Sequence, residues 1–224
     1  MGAMTRRSLL ITGTALLAAA IVLGILIVTI PAGATNAFDE GWNAMMAQIR
    51  EPWMLTIAYF MNRVGGGWIA ILVVPLATVG ALLLSRRPRE AVYALAAFTA
   101  SALLTQLIKQ IFGRARPDDM LVASDFGSFP SGHTANAATI AVVLWLIFPR
   151  VWMAIIGALW VVLMALSRTI LSVHWLTDTV GGALVGASAA LLVGGMLLGF
   201  ASLGWSDPPA ASLRSERAED PPLP

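Results

Sequence analysis

Apolar residues dominate residues 9–30 almost without interruption. Five further apolar runs follow at 68–84, 91–112, 131–148, 151–167 and 177–200. Each is close to the ~20 residues that a helix needs to cross about 30 Å of hydrocarbon. The pattern therefore predicts an all-α membrane protein: six transmembrane helices in a bundle. Between the first and second runs the pattern changes. Phe38, Trp42, Met45, Met46 and Ile49 recur at helical spacing, with Asp39, Glu40, Asn43 and Gln48 between them. Pro52 then opens a second stripe of Trp53, Ile57, Phe60, Met61 and Val64. Charged residues interrupt both, so 36–64 is expected to form short amphipathic helices at the outer membrane interface. A helical hairpin packed on the bundle fits the same pattern.

The punctuation is as informative as the runs. Arg6 and Arg7 precede the first run, Arg86, Arg87 and Arg89 follow the second, and Pro149-Arg150 separates the fourth from the fifth. Basic turns of this kind stay in the cytoplasm. Both termini are then cytoplasmic, and the 109–130 and 167–178 segments emerge on the opposite, extracytoplasmic face. A signal peptide is the competing reading of the N-terminus, but its apolar core usually spans only about 7–15 residues. Gly65-Gly66-Gly67 lacks the Gly-Lys-Ser/Thr that a phosphate loop requires and reads as a joint. Pro75 predicts a kink in the second span. Thr99, Ser101, Thr105 and Gln106 make the third span polar toward its outer end, and such groups should face the bundle interior. Small residues (Ala135, Ala137, Ala138 and Ala141 in the fourth span; Gly181, Gly182, Ala183 and Gly186 in the sixth) predict close helix packing. One transmembrane domain, 1–205, and a disordered cytoplasmic tail, 206–224, account for the chain.

Composition agrees with the pattern. Of 224 residues 58% are hydrophobic and 12% charged, with mean hydropathy +0.81. A soluble domain carries about a quarter charged residues. The net charge of +2 is scattered, which argues against nucleic-acid binding. With no cysteine, disulfides, thiolate metal sites and a cysteine nucleophile are all excluded.

The polar residues that remain cluster. The chain has two histidines. His174 lies four residues before Asp178, one helical turn, where a carboxylate can take the Nδ1 proton and leave Nε2 a free lone pair. His133 follows Ser131-Gly132 at the start of the fourth span, where free backbone N–H groups make an anion site. Lys109, the single lysine, and Arg116 and Arg168 fall on the same predicted face. Taken singly, each has a plain structural explanation: Lys109 snorkels, Arg116 caps a loop, Arg168 anchors at the interface. Together they repel one another unless an anion joins them, and phosphate is the natural guest. One histidine held by Asp178 can then attack phosphorus while the other protonates the leaving oxygen. Asp118, Asp119 and Asp125 could hold a cation, but nothing in their arrangement demands one. Arg114 receives no role.

Three segments, Lys109 to Arg116-Pro117, Pro130-Ser131-Gly132-His133, and Ser167-Arg168 through His174 to Asp178, resemble the three-part signature of the type 2 phosphatidic acid phosphatase superfamily. Every specified position matches across 109–178, and the six-span plan resembles the membrane-bound branch. The resemblance implies His174 as nucleophile, His133 as general acid and Asp178 as the group that orients His174. It implies Lys109, Arg116, Ser131, Gly132 and Arg168 as phosphate ligands, and catalysis without a metal or other cofactor. The expected substrate partner is a lipid phosphate met within the membrane: a polyprenyl diphosphate such as undecaprenyl pyrophosphate, phosphatidylglycerol phosphate or phosphatidate. Three alternatives stay open: a phosphatase for a soluble ester, a phosphotransferase, and a membrane protein that binds an anion without chemistry.

Overall fold

Glycine and alanine decide how closely these helices approach, and the closest approach sets the frame of the site. The computed structural model describes residues 5–29 and 34–200. Among them are eight α-helices and no strand: α1 (Arg6–Thr29), α2 (Ala34–Ile49), α3 (Pro52–Val64), α4 (Val74–Leu84), α5 (Pro88–Phe112), α6 (Gly132–Ile147), α7 (Val151–Ile170) and α8 (Leu176–Phe200). The last of these packs on α1, α5 and α6. A Cβ at Gly182 would stand 2.4 Å from the Ser131 carbonyl oxygen, and one at Gly186 2.0 Å from that of Ala135. The two backbones therefore touch, as the small residues of these spans predict. Thr139 fastens the contact from the other side, its Oγ1 lying 2.7 Å from Ser101 Oγ and 3.2 Å from the Gly186 carbonyl oxygen. Tyr93 on α5 donates its hydroxyl to the Ala190 carbonyl of α8 at 3.1 Å. Such bonds satisfy polar groups that have no water to turn to inside a bundle.

By length and apolarity four helices qualify as membrane spans: α1, α5, α7 and α8. A fifth arises if α3 and the rod Ile69–Leu84 count as one span bent by 51°. The described residues thus support four to five spans by these criteria. Two of the six predicted runs fall short for local reasons. The second begins with a π-helical turn, Ile69–Val73, ahead of Pro75 near the start of α4. Proline lacks the N–H that an α-helical bond would need, and a π-turn absorbs the gap. The fourth is trimmed to 16 residues between the Pro130 loop and Pro149. Outward-facing Ile25, Leu76, Leu103, Ile155 and Leu159 are exposed, giving the bundle an apolar outer surface that suits lipid contact.

The 36–64 segment forms two helices broken at Arg50-Glu51, with Pro52 opening the second as predicted. Both pack on the bundle. Met46, Ala58, Ile170, Leu171 and Val173 form one buried cluster, and Met61 joins Ala137 and Met164 in another. The hairpin-like alternative describes this packing better than free interfacial helices do. The predicted tail, 206–224, lies outside the described residues.

Candidate active site

The C-terminal ends of α5 and α7 meet the N-terminal ends of α6 and α8, and each delivers one part of the site. Lys109 lies on the last turn of α5 and Arg168 on the last turn of α7. Both are almost fully buried, at 2% and 1% exposure. Lys109 Nζ donates to the Gly127 carbonyl at 2.6 Å. Arg168 Nη1 donates to Asn62 Oδ1 at 2.7 Å, while its Nε is buried with no partner. Arg116, in the loop after α5, donates to the carbonyls of Val173, Asp125 and Gly127. Ser131 and Gly132 open α6, and the first amides of a helix have no intrahelical acceptor. The Ser131 amide is an exception here, since it donates to the Asp178 carbonyl at 2.9 Å. Any phosphate contact from Ser131 must therefore come from its hydroxyl, which is buried and accepts from Thr134 Oγ1 at 3.2 Å.

Lys109, Gly132, His133, Arg168 and His174 line one cavity, while Arg116, Ser131 and Asp178 are not among its lining residues. His174 sits in the turn between α7 and α8. Its Nδ1 lies 3.5 Å from Asp178 Oδ2, within ion-pair reach but longer than a hydrogen bond. Its Nε2 is 3.2 Å from Arg116 Nη1. A guanidinium can only donate, so Nε2 carries the lone pair and the proton of the neutral ring is on Nδ1, toward Asp178. Burial, with Arg116, Arg168 and Lys109 nearby, pushes the His174 imidazole well below its ordinary 6.5 and keeps it neutral. The second histidine is the converse. His133 Nε2 lies 3.3 Å from the Asn62 carbonyl oxygen, which can only accept, so this nitrogen carries a proton. One ring thus presents a lone pair and the other an N–H.

The sequence model of the PAP2 superfamily matches residues 90–202. The chain belongs to the PAP2 superfamily. Phosphatidylglycerophosphatase B of Bacillus subtilis is 29% identical over 181 residues, covering 76% of this chain and 89% of that protein. Decaprenylphosphoryl-5-phosphoribose phosphatase of Mycobacterium tuberculosis is 35% identical over 153 residues, covering 66% and 82%. The crystal structure of the Bacillus subtilis transmembrane PAP2 phosphatidylglycerolphosphate phosphatase superposes with a TM-score of 0.73 at 26% identity, over 83% of this chain and 95% of that one. These PAP2 relatives are membrane lipid phosphatases, and this chain is a multi-pass membrane protein of the same fold.

Three residues of this PAP2 site escape sequence reasoning. Arg114 is buried and donates from Nη1 to Asp178 Oδ1 and from Nη2 to Asp39 Oδ2, both at 2.7 Å. Asp39, on α2, also accepts from the Thr177 amide at 3.0 Å and the Thr177 hydroxyl at 2.5 Å. The carboxylate beside His174 is thereby tied through Arg114 to a helix more than seventy residues away. Asn62, on α3, holds Arg168 and His133 at once. Its neighbour Gly66 comes so near that a Cβ there would stand 2.2 Å from His133 Nε2.

Asp125 has an unforeseen place as well. Its exposed carboxylate lies 2.6 Å from Arg116 Nη2 and 3.7 Å from Lys109 Nζ. Far from holding a cation of its own, it covers two of the cations expected to bind phosphate. An arriving anion must compete with it. Asp125→Asn should therefore lower KM for a phosphate ester several-fold and tighten inhibition by inorganic phosphate, on the order of the ~1 kcal/mol that a partly exposed ion pair contributes. Initial-rate kinetics of the two proteins check this; an unchanged or higher KM in the variant would mean that Asp125 supports the site instead of screening it.

Proposed function

We propose that this protein is an integral membrane lipid phosphatase that works at the extracytoplasmic face through a phosphohistidine. The observation that carries the reading is two imidazoles on one cation-rich cavity, with the lone pair at Nε2 in His174 and the proton at Nε2 in His133. Lys109, Arg116 and Arg168, with the first amides of α6, hold the phosphate. The Nε2 lone pair of His174 attacks phosphorus and the phosphorus–oxygen bond to the lipid breaks. His133, doubly protonated once the phosphate dianion offsets the cations around it, gives a proton to the departing oxygen and is left neutral. Asp178 faces the Nδ1–H and stabilises the positive charge that the ring gains. In the second half His133 takes a proton from water, the water oxygen attacks phosphorus, and the phosphorus–nitrogen bond breaks to release phosphate. None of these steps needs a cofactor.

Six spans with both termini cytoplasmic best accommodate the basic turns at Arg86-Arg87 and Arg150 on one side and the site on the other. The six are α1, the rod Ile69–Leu84, α5, α6, α7 and α8. A single transmembrane domain, 1–205, with the tail 206–224 outside it, fits the same reading. Phosphate release by the purified protein in detergent with EDTA present tests the function. Phosphatidylglycerol phosphate, phosphatidate, a polyprenyl diphosphate and a soluble aryl phosphate would be offered side by side. Turnover of at least one lipid, well above the soluble ester, is the expected result. A folded protein that binds phosphate yet releases none from any substrate would instead be an anion binder or a phosphotransferase.

A further inference from the structure

The cations around the two histidines differ in what holds them. Arg114 lies 2.7 Å from each of two buried carboxylates, Asp39 and Asp178, so its charge is neutralised within the protein. Lys109 and Arg116 share one carboxylate, Asp125, whose side chain is 59% exposed and so open to replacement by an arriving anion. Arg168 differs from all three. It is buried, and among the described residues no carboxylate lies within ion-pair distance of it. Its guanidinium donates from Nη1 to the Asn62 side-chain oxygen at 2.7 Å, and its Nε has no acceptor.

A guanidinium buried without a counter-charge is costly. An amide oxygen offsets part of that cost by accepting a hydrogen bond, and it brings no charge. The positive charge of Arg168 therefore stays available to a ligand. The amide also fixes a direction. One corner of the guanidinium fork is held, and the remainder is left for the oxygens of a phosphate. Asn62 reaches this place because α3 docks on α7. Met61, its neighbour in sequence, is buried in one cluster with Met164, which lies one turn before Arg168. Asn62 and Arg168 both line the cavity. The contact of Asn62 with His133 is made by its main-chain carbonyl, which any residue at 62 would supply. What the side chain itself adds is its hold on Arg168.

We propose that Asn62 is a positioning residue for the phosphate site: a neutral acceptor that aims the Arg168 guanidinium without cancelling its charge. The role rests on the reading of the cavity as a phosphate site, and it brings in a residue from outside the three motif segments. A carboxylate at 62 would hold the guanidinium more strongly. It would then compete with the ligand for that cation, as Asp125 does at Arg116. An alanine at 62 would leave the cation free but unguided.

Calorimetric titration of the purified protein in detergent with inorganic phosphate tests the role without requiring turnover. Asn62→Ala should weaken phosphate binding about tenfold, the scale of one hydrogen bond to a charged group. In a protein that already carries Arg168→Ala, the same substitution should change binding by less than about twofold, because Asn62 acts through that side chain. Asn62→Asp should be the weaker binder of the two Asn62 variants, while its thermal midpoint is not lowered. Equal losses from Asn62→Ala with and without Arg168 would overturn the role. So would an Asn62→Asp protein that binds phosphate as tightly as the unaltered one: a part in packing alone predicts that order, with Asn62→Asp near normal and Asn62→Ala impaired. If the unaltered protein binds phosphate but turns over no substrate, the phosphatase reading fails and the titrations still decide on Asn62. If it binds no phosphate, the site reading fails and the role of Asn62 falls with it.

Discussion

His174→Ala should lose turnover by about four orders of magnitude or more, the scale seen when a covalent nucleophile is removed, while phosphate or vanadate still binds. Binding survives because Lys109, Arg116 and Arg168 are untouched. Chemistry does not survive, because no other side chain with a lone pair and a carboxylate at Nδ1 lines the cavity. Acid-quenched, rapidly mixed samples with radiolabelled substrate separate the two halves of the reaction. The unaltered protein should yield an acid-labile, base-stable phosphoprotein, and His174→Ala none. Turnover at the normal rate in the variant would transfer the role of nucleophile elsewhere.

Arg114→Ala should have the next largest effect, and on two observables. Arg114 separates two carboxylates, Asp178 and Asp39, that are 0% and 1% exposed. Removing the cation leaves both charges buried without their partner, at a cost of about 3–5 kcal/mol. The thermal midpoint in detergent should fall accordingly. Loss of stability alone would not show a part in catalysis, so Asp39→Asn is the sharper probe. Its amide oxygen can still accept from the Thr177 amide, but it no longer shares the charge of Arg114. A looser Arg114 lets Asp178 drift from His174, and kcat should drop about tenfold to a hundredfold with little change in KM. Steady-state kinetics decide between outcomes: a change in KM alone would make Asp39 part of substrate binding, and no change would limit it to packing.

Much of this was legible in the chain because it depends on local pattern. Lys109, Arg116, Ser131, His133, Arg168, His174 and Asp178 stand at intervals that a linear reading can test, and each lies at the predicted end of an apolar run or in the short polar segment next to it. The small-residue faces of α6 and α8 were equally open to reading, since close packing needs small side chains wherever it occurs. Asp39 was not. On its own helix it occupies an ordinary polar position between Phe38 and Trp42, and its burial arises only when α2 lies across the start of α8, 138 residues away. Asn62 was hidden in the same way, as one polar residue beside an apolar stripe. Arg114 carried the one available signal: a second cation two residues from Arg116, in a loop that also holds Asp118, Asp119 and Asp125. The polar end of α5 was read as facing inward. Ser101 does so, buried against Thr139, and Thr99, Ser101, Thr105 and Gln106 all line the cavity. Periodicity cannot separate those two destinations, because a cavity wall and a helix interface lie on adjoining sides of one helix.

The bonds made by Ser131 and Asn62 divide the reaction between two mechanical units. The Ser131 amide fastens the start of α6 to the start of α8 through the Asp178 carbonyl, so the carboxylate proposed to stand behind the attacking nitrogen travels with two helices whose backbones touch. His133 and Arg168, the proposed proton donor and a proposed phosphate ligand, instead lean on Asn62, at the end of α3 beside the three glycines where that helix meets the rod Ile69–Leu84 at 51°. A displacement of that rod, as when a bulky tail wedges beside it, would leave the in-line approach to phosphorus intact and disturb proton delivery to the alcohol. Lipids would then be sorted by how readily their leaving group departs without help, and an acidic alcohol would suffer least from a poor fit.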